Sequence, residues 1–179
     1  MLRFLTLHLI LFAKLIIHVI FSKYFFMKQL EITLYFKEIA DDAALAVSFS
    51  AARGVDAPED FDRKTMTDND KPLIAPLFRL VWRRIAVSLN PYISSCTETG
   101  ESVVIRFMVR DHNESKAAEL IPFLIHSAAV SLLVAEWQRT TSPAESDAAL
   151  SFAETRLQGI KSVLDHPVAH TARRPLFPF

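Results

Sequence analysis

The sequence predicts an α+β domain that is mainly α, with a four-helix bundle-like arrangement and a small antiparallel β-hairpin or sheet. Four segments repeat apolar residues at spacings of three and four, the helical period, and two short segments, residues 29–36 and 102–110, place apolar residues at every second position. A chain of 179 residues is long enough for one domain with a substantial core. We expect one helical domain over residues 27–165, with the hairpin at residues 92–110.

Composition excludes several classes of function. Hydrophobic residues make up 51% of the chain, and 20 basic residues balance 20 acidic ones. A formal net charge of zero gives no long-range attraction to nucleic acid, so a nucleic-acid partner is not expected. Because Cys96 is the only cysteine, the chain can form neither an internal disulfide nor a cysteine zinc cluster, which fits a reducing cytoplasm.

Residues 1–26 form a hydrophobic leader that contains no Asp, Glu, Gly or Pro. Residues 4–22 are long enough for a transmembrane helix, which takes roughly 20 residues. Lys14 near the centre would cost about 3 kcal/mol, which the surrounding apolar residues could offset. No small-x-small cleavage site follows, so a signal peptide is a poor interpretation. The abrupt change at Met27 suits a mis-assigned start codon, so an artefact, a membrane anchor and a packed helix all remain open.

The first ordinary segment, residues 29–36, predicts a half-buried strand. Its inward residues are Leu30, Ile32, Leu34 and Phe36. An Ala-rich helix is predicted from Ile39 to about Ala52, ending at Gly54. The expected buried stripe of this helix is Ile39, Ala43, Ala46 and Phe49.

A second helix is predicted to begin after Thr67 or Asp68, with Pro72 near its first turn, and to end at Asn90. Pro76 should bend it, because proline lacks the N–H group and crowds the preceding turn. The expected buried stripe is Leu73, Leu77, Leu80, Val81, Ile85 and Leu89. Residues 92–96 and 102–110 then predict a β-hairpin. The inward residues of its second strand are Val103, Ile105, Phe107 and Val109.

The third helix, from about residue 114 to Gln138, is apolar on nearly all sides, which predicts a central, buried position. Its expected seam is Ala117, Leu120, Leu124, Ala128, Leu132 and Ala135. Ser142 then caps a fourth helix, with Pro143 at its first position and Glu145 as capping-box partner. The seam of the fourth helix is Leu150, Ala153, Leu157, Ile160 and Leu164. The short connection predicts an antiparallel helix pair, and residues 166–179 predict an extended Pro-rich C-terminal arm.

Neither a catalytic residue, a metal ligand nor a cofactor is predicted. His166 and His170 have the spacing of a metal pair, but Pro167 interrupts a helix there. The Asp111, His112 and Glu114 group is better explained as a helix cap, and His126 as a core histidine with its hydrogen bonds satisfied. Glycine-rich phosphate loops, nucleophile elbows and His-Glu-x-x-His motifs are missing from the sequence. We therefore predict that the chain is not an enzyme.

Two sets of residues are candidates for a subunit interface. The first set is a basic strip on the second helix, with an extension on the polar face of the hairpin. Its members are Arg79, Arg83, Arg84, Arg106 and Arg110. This basic strip has three alternative interpretations: a solvated helix face, a surface that pairs with an acidic neighbouring subunit, or a surface that contacts phosphate. The second set is apolar and lies in the C-terminal arm, where it could dock on its own subunit or on a neighbour. Its members are Leu176, Phe177 and Phe179.

The order of elements after Met27 resembles that of small virion proteins encoded by tailed phages and prophages of Bacteroidales-type bacteria. Residues 132–138, LLVAEWQ, also resemble the Leu-Leu-Val-Ala-His-Trp-Tyr segment of the head–tail connector (adaptor) family, and depart from it at Glu136 and Gln138. This resemblance implies a non-enzymatic virion protein, a head–tail connector or tail-completion subunit that forms a homo-oligomeric ring. Its partners would be portal or tail components, and its location the virion and the host cytoplasm during assembly.

Two alternatives to the phage interpretation remain. The first is a membrane-anchored interaction protein at the bacterial inner membrane, with residues 4–22 as its transmembrane helix. The second is a small-molecule-binding regulator that uses the helical core. Neither alternative depends on the resemblance.

Overall fold

The computed structural model describes residues 27–53, 65–67, 70–110 and 113–165. The hydrophobic leader and the C-terminal arm lie outside these residues. The predictions about Gly54, Asp68 and the Asp111–His112 pair also lie outside them.

The described residues form a mainly α α+β domain, as predicted. In chain order its elements are β1 (Met27–Tyr35), α1 (Phe36–Arg53), α2 (Lys71–Leu89), β2 (Ile93–Glu98), β3 (Ser102–Arg110), α3 (Glu114–Gln138) and α4 (Pro143–Asp165). A short 3-10 turn, Asn90–Tyr92, joins α2 to β2. The α3 helix packs against the other three helices and against β1 and β3. The layout is thus a central helix surrounded by helices and a sheet, and a four-helix bundle is not confirmed.

Within the described residues the sheet has three antiparallel strands in the order β1-β3-β2. The predicted hairpin is confirmed, and β1 joins it by pairing with β3 along its full length, so that Ile32 lies opposite Ile105. Val103, Ile105 and Phe107 on the inward face of β3 are completely buried. The predicted alternation of apolar and polar residues therefore holds in both β1 and β3.

The α3 helix occupies the core, as its composition predicts. Its buried residues are Ala117, Ile121, Ile125, Ala128, Ala129, Leu132, Leu133, Val134, Ala135 and Gln138. The predicted seam is wrong at Leu120 and Leu124, which are half-buried, because Ile121 and Ile125 take the buried positions. Among the described residues, only α3 is long and apolar enough to cross a membrane by length and composition. Core helices share that property, and 44% of this apolar window is buried, so it is weak evidence for a membrane span.

The predicted buried stripes of α1 and α2 are confirmed in part, since Ile39, Ala43, Val81, Ile85 and Leu89 are buried as expected. In α1, Val47 is buried, whereas Ala46 and Phe49 are exposed. In α2, Ile74 and Phe78 are buried in place of the expected Leu73 and Leu80. Both helices carry two neighbouring apolar rows, and spacing alone cannot decide which row faces the core.

The start of α2 also departs from the prediction. Its N-cap is Asp70, not Thr67 or Asp68, and the Asp70 side chain makes no hydrogen bond to the helix. Instead its carboxylate accepts hydrogen bonds from the Thr67 backbone N–H at 2.8 Å and hydroxyl at 2.7 Å. The carboxylate therefore closes the turn before α2.

The α3 and α4 helices form the predicted antiparallel pair. The Asn113 side chain, before α3, donates to the Val163 carbonyl at 3.3 Å, and the Ser146 hydroxyl in α4 donates to the Ala135 carbonyl at 2.8 Å. The start of each helix therefore contacts the end of the other.

The predicted capping box at the start of α4 is wrong. The Ser142 N–H donates to the Gln138 carbonyl at 2.8 Å, and Glu145 accepts a hydrogen bond from the Gln138 side chain at 2.9 Å. Gln138 is only 3% exposed, so its buried side-chain amide needs the Glu145 carboxylate as a partner. The Glu145 carboxylate therefore accepts the hydrogen bond of the Gln138 side chain and does not cap the start of α4.

We expect truncation in α3 to be far more destabilising than the same truncation on the surface. Leu133→Ala removes a side chain that is completely buried and should lower the free energy of unfolding by about 2–5 kcal/mol. Leu73→Ala, on the exposed side of α2, is the matched control and should change it by less than about 0.5 kcal/mol. Urea unfolding monitored by circular dichroism measures both. Equal losses in the two variants would contradict the central position of α3.

Candidate interaction surface

The predicted arginines of α2 contact carboxylates on two other elements. The Arg79 Nε lies 3.9 Å from a carboxylate oxygen of Glu98 at the end of β2. An Arg84 Nη donates to Glu154 of α4 at 3.3 Å. Arg83 is exposed, and the described residues offer it no carboxylate partner. The three arginines thus share a helix but have different surroundings.

The predicted arginines of the hairpin lie on the other side of the sheet. Glu98, the partner of Arg79, is opposite Val103 and shares its inward side, whereas Arg106 alternates with the inward residues of β3 and faces outward. Arg110 is exposed at the end of β3, opposite Met27. The structure therefore does not bring the hairpin arginines next to the α2 arginines, and a subunit-interface role for either group stays a prediction.

Arg106 ties the three strands together on the outward face of the sheet. Its Nε donates to Glu31 of β1 at 2.6 Å, and one Nη lies 3.5 Å from the Ser95 hydroxyl of β2. The Ser94 hydroxyl donates to the Arg106 carbonyl at 3.0 Å. These contacts give Arg106 a structural role within one subunit.

The two edges of the sheet differ. The β1 strand is nine residues long and pairs with β3 without a register shift. The β2 strand is six residues long and contains a bulge between Ile93 and Ser95. A bulge disrupts the ladder and protects an edge from further pairing, so β1 is the more receptive edge.

A surface on α1, α3 and α4, named here the aromatic face, carries exposed apolar side chains. Its members, with their exposed fractions, are Leu45 (57%), Phe49 (62%), Phe123 (62%) and Phe152 (46%). The Arg156 guanidinium joins the last two, since it lies 5.8 Å from the Phe123 ring centre and 4.3 Å from that of Phe152.

A contact between α1 and α3 makes the aromatic face continuous. His126 Nε2 and the Asp42 carboxylate are 2.8 Å apart. His126 is three residues after Phe123, and Asp42 is three before Leu45, so each lies beside its apolar neighbour. His126 is hydrogen-bonded, as the sequence predicts, but at a partly exposed position. Sequence reasoning missed this face because Phe49 was assigned to the core.

A second exposed apolar row, named here the α2 stripe, runs along α2. Its members are Leu73, Leu80 and Val87, which are 61%, 51% and 78% exposed. Their spacing of seven residues places them on one side of the helix. Leu73 and Leu80 are predicted core residues that the structure places on the outside of the helix.

Two grooves accompany these surfaces. One of about 150 Å³ lies between α2, α3 and α4 and is lined by charged residues that include Arg84, Glu136 and Asp147. The other, of about 310 Å³, lies where β1 begins and α4 ends, and Tyr92, Arg110 and Asp165 line it. Within the described ranges, His, Cys, Asp and Glu side chains do not form a group of three that could hold a metal ion.

Among the described residues, the pKa values of two side chains, Tyr92 and Cys96, are shifted. A hydrogen bond from the Tyr92 hydroxyl to Asp165, at 2.7 Å, together with partial burial and the Asp165 charge, raises the pKa of Tyr92 above its ordinary 10.0. Burial and the charge of Glu98 raise the pKa of the Cys96 thiol, although a contact with Trp82 opposes them. A raised pKa disfavours the nucleophilic thiolate.

The residues that carry the family resemblance are mostly core residues. Leu132, Leu133, Val134 and Ala135 are buried, and Trp137 is half-buried. No protein-family model, curated protein or solved structure matches this chain. The likeness to head–tail connectors stays a prediction.

We expect the Arg106–Glu31 pair to contribute modestly to the stability of one subunit. Both side chains are more than one-third exposed, so solvent screening limits their coupling to about 0.2–1 kcal/mol. A double-mutant cycle with Arg106→Gln and Glu31→Gln, measured by urea unfolding at low protein concentration, gives the coupling energy. A coupling of zero would remove the structural role of the pair and leave Arg106 available to a neighbour.

We expect Asp165→Ala to lower the pKa of Tyr92, because it removes both the hydrogen bond and the negative charge. In the native protein the raised pKa stabilises the fold below about pH 10, and this contribution is lost as the pH rises through the raised value. Tyrosinate absorbance during an alkaline titration measures the change, and Tyr92→Phe assigns the signal among the 3 tyrosines. Identical titrations of wild type and Asp165→Ala would contradict the assignment.

Proposed function

We propose that the protein is a non-enzymatic structural subunit of a tailed-phage or prophage virion, a head–tail connector or tail-completion protein that assembles into a homo-oligomeric ring. The observation that carries the proposal is the edge of β1. Among the described residues no strand pairs with the side of β1 that faces away from β3.

The β1 edge suits pairing with a neighbouring chain. A regular edge of nine residues presents backbone N–H and C=O groups that another extended segment can pair with. Main-chain hydrogen bonds give affinity in such strand addition, and the alternating side chains give register. A structural subunit uses this edge to add a strand from its neighbour.

The C-terminal arm, residues 166–179, is the segment we propose for that contact. It lies outside the described residues and follows directly after α4, which ends at Asp165. Fourteen residues in extended form span up to about 45 Å, enough to reach an adjacent subunit. Leu176, Phe177 and Phe179 would then anchor the arm by burying apolar surface on that subunit.

The buried α3 helix supports the same proposal. Packing of α3 against every other helix and against the sheet makes the described domain a rigid block, which a ring needs in order to hold a fixed angle between subunits. The mechanism is geometric, and the resemblance of residues 132–138 to connector proteins supports a position of the ring between portal and tail.

We expect the full chain to be oligomeric and removal of residues 167–179 to lower the subunit number or weaken assembly at least tenfold. The matched control keeps the length and changes Leu176, Phe177 and Phe179 to Ser. It should weaken assembly to a similar extent if apolar anchoring dominates. Native mass spectrometry over a range of concentrations measures both. Unchanged assembly after the deletion would remove the arm from the proposal.

The virion location has its own test. Particles purified from a strain that encodes the protein should contain it in a fixed ratio to the portal protein, measured by quantitative mass spectrometry. Portal, capsid and tape-measure genes should lie beside its gene. Recovery only from the membrane fraction, in a form that depends on residues 4–22, would favour the membrane-anchored alternative instead.

A further inference from the structure

The subunit carries two exposed apolar surfaces on different helices. The α2 stripe lies on α2, and the aromatic face lies on α1, α3 and α4. An aromatic side chain offers about 200 Å² of surface, so the three phenylalanines of the aromatic face together expose roughly 300 Å². A stable interface buries about 800 Å² on each partner, so these rings could form the apolar centre of one.

The charge beside the α2 stripe is positive and that on the α1 side of the aromatic face is negative, whereas Arg156 adds a positive charge on the α4 side of the aromatic face. Arg83 lies three residues after Leu80 and four before Val87, so it projects from the same side of α2 as the stripe. Asp41 lies four residues before Leu45, and Asp42 and Glu38 are on the same side of α1. Arg83 and Asp41 are both exposed, and the described part of the chain gives neither an oppositely charged partner. Each surface therefore has an available charge of the sign that the other needs.

We infer that the α2 stripe of one copy docks on the aromatic face of the next copy, with Arg83 directed toward Asp41 and Asp42. This contact rests on the proposed function and supplies the main subunit contact of the ring. Because the two surfaces are different, each docked subunit still has one surface free, and a repeated head-to-tail contact forms a ring when the rotation between subunits closes. The formal net charge of zero means that assembly meets little overall electrostatic repulsion.

Two blocking variants test the head-to-tail geometry. Leu80→Asp blocks the α2 stripe, and Phe49→Asp blocks the aromatic face. Each variant alone should associate at least tenfold more weakly than wild type. Mixed in equal amounts, they should form a one-to-one dimer, because Leu80→Asp keeps its aromatic face and Phe49→Asp keeps its α2 stripe. Native mass spectrometry distinguishes the dimer from either monomer by mass.

Controls separate the interface from folding. Thr97→Asp places the same charge on an exposed position of β2, outside both surfaces, and should leave assembly unchanged. Thermal unfolding monitored by circular dichroism checks that each variant is folded. If one blocking variant fails to fold, Val87→Asp replaces Leu80→Asp, and Leu45→Asp replaces Phe49→Asp.

A charge exchange tests the register of the contact. Arg83→Asp should weaken association about fivefold or more, and Asp41→Arg in the same chain should restore most of it. Glu101→Arg, a charge reversal at an exposed loop position, is the control second change and should restore nothing. Restoration by both would show a general charge effect and overturn the pairing.

The outcomes distinguish this inference from the proposed function. Blocking variants that keep the wild-type oligomer overturn the inference and leave the proposed function standing. Folded variants that stay monomeric when mixed overturn the head-to-tail geometry in favour of a two-fold contact. Wild type that is monomeric at every concentration and absent from virions overturns both. If that monomer associates only after residues 167–179 are removed, the arm covers the surface and the inference fails.

Discussion

Burial of α3 is the constraint on which the rest of the structure depends. An α-helix of 25 residues that is apolar on nearly all sides cannot face water along much of its length. The chain meets this demand by packing α4 along α3 and placing α1, α2 and the inward face of the sheet around the remainder. The sheet needs this arrangement as well, since three strands with one apolar face are stable only when that face is covered. One packing requirement therefore fixes the positions of both helices and strands.

Spacing in the sequence correctly predicts which residues are buried in the strands and helices that carry only one row of apolar residues. The β1 and β3 strands alternate strictly, so Leu34 and Ile105 could be assigned to the inward face from period alone, and both are buried. The α4 seam is a similar case, with Ala153, Leu157 and Ile160 buried as expected. A strand period of two leaves only two choices of face, and an apolar row on one of them decides between those choices.

Assignment failed in helices that have two apolar rows. In α2, Leu73 and Leu80 fit the helical period as well as Ile74 and Phe78 do, and only contacts with other elements select the second row. Phe78 packs edge-on against Phe36, with ring centres 4.9 Å apart, a long-range contact that spacing cannot reveal. The same uncertainty at Phe49 concealed the aromatic face. Three members of the candidate surfaces, Leu73, Leu80 and Phe49, therefore lie outside although their spacing predicts burial.

An exposed apolar row on a helix that already buries another apolar row costs free energy in water. Large apolar side chains such as Phe123 and Val87 gain nothing from water, and a polar residue at the same position would suit an isolated domain equally well or better. Charged neighbours do not remove this cost. Arg156 stacks on Phe123 and Phe152 without hiding either ring. The buried Nε of Arg156 also has no hydrogen-bond partner among the described residues. Within the described residues, both rows stay largely exposed. In the proposed ring, contact between copies would bury them, as α3 is buried within each copy. The exposed apolar surface would then drive assembly, and the charges beside the two rows would set which row meets which.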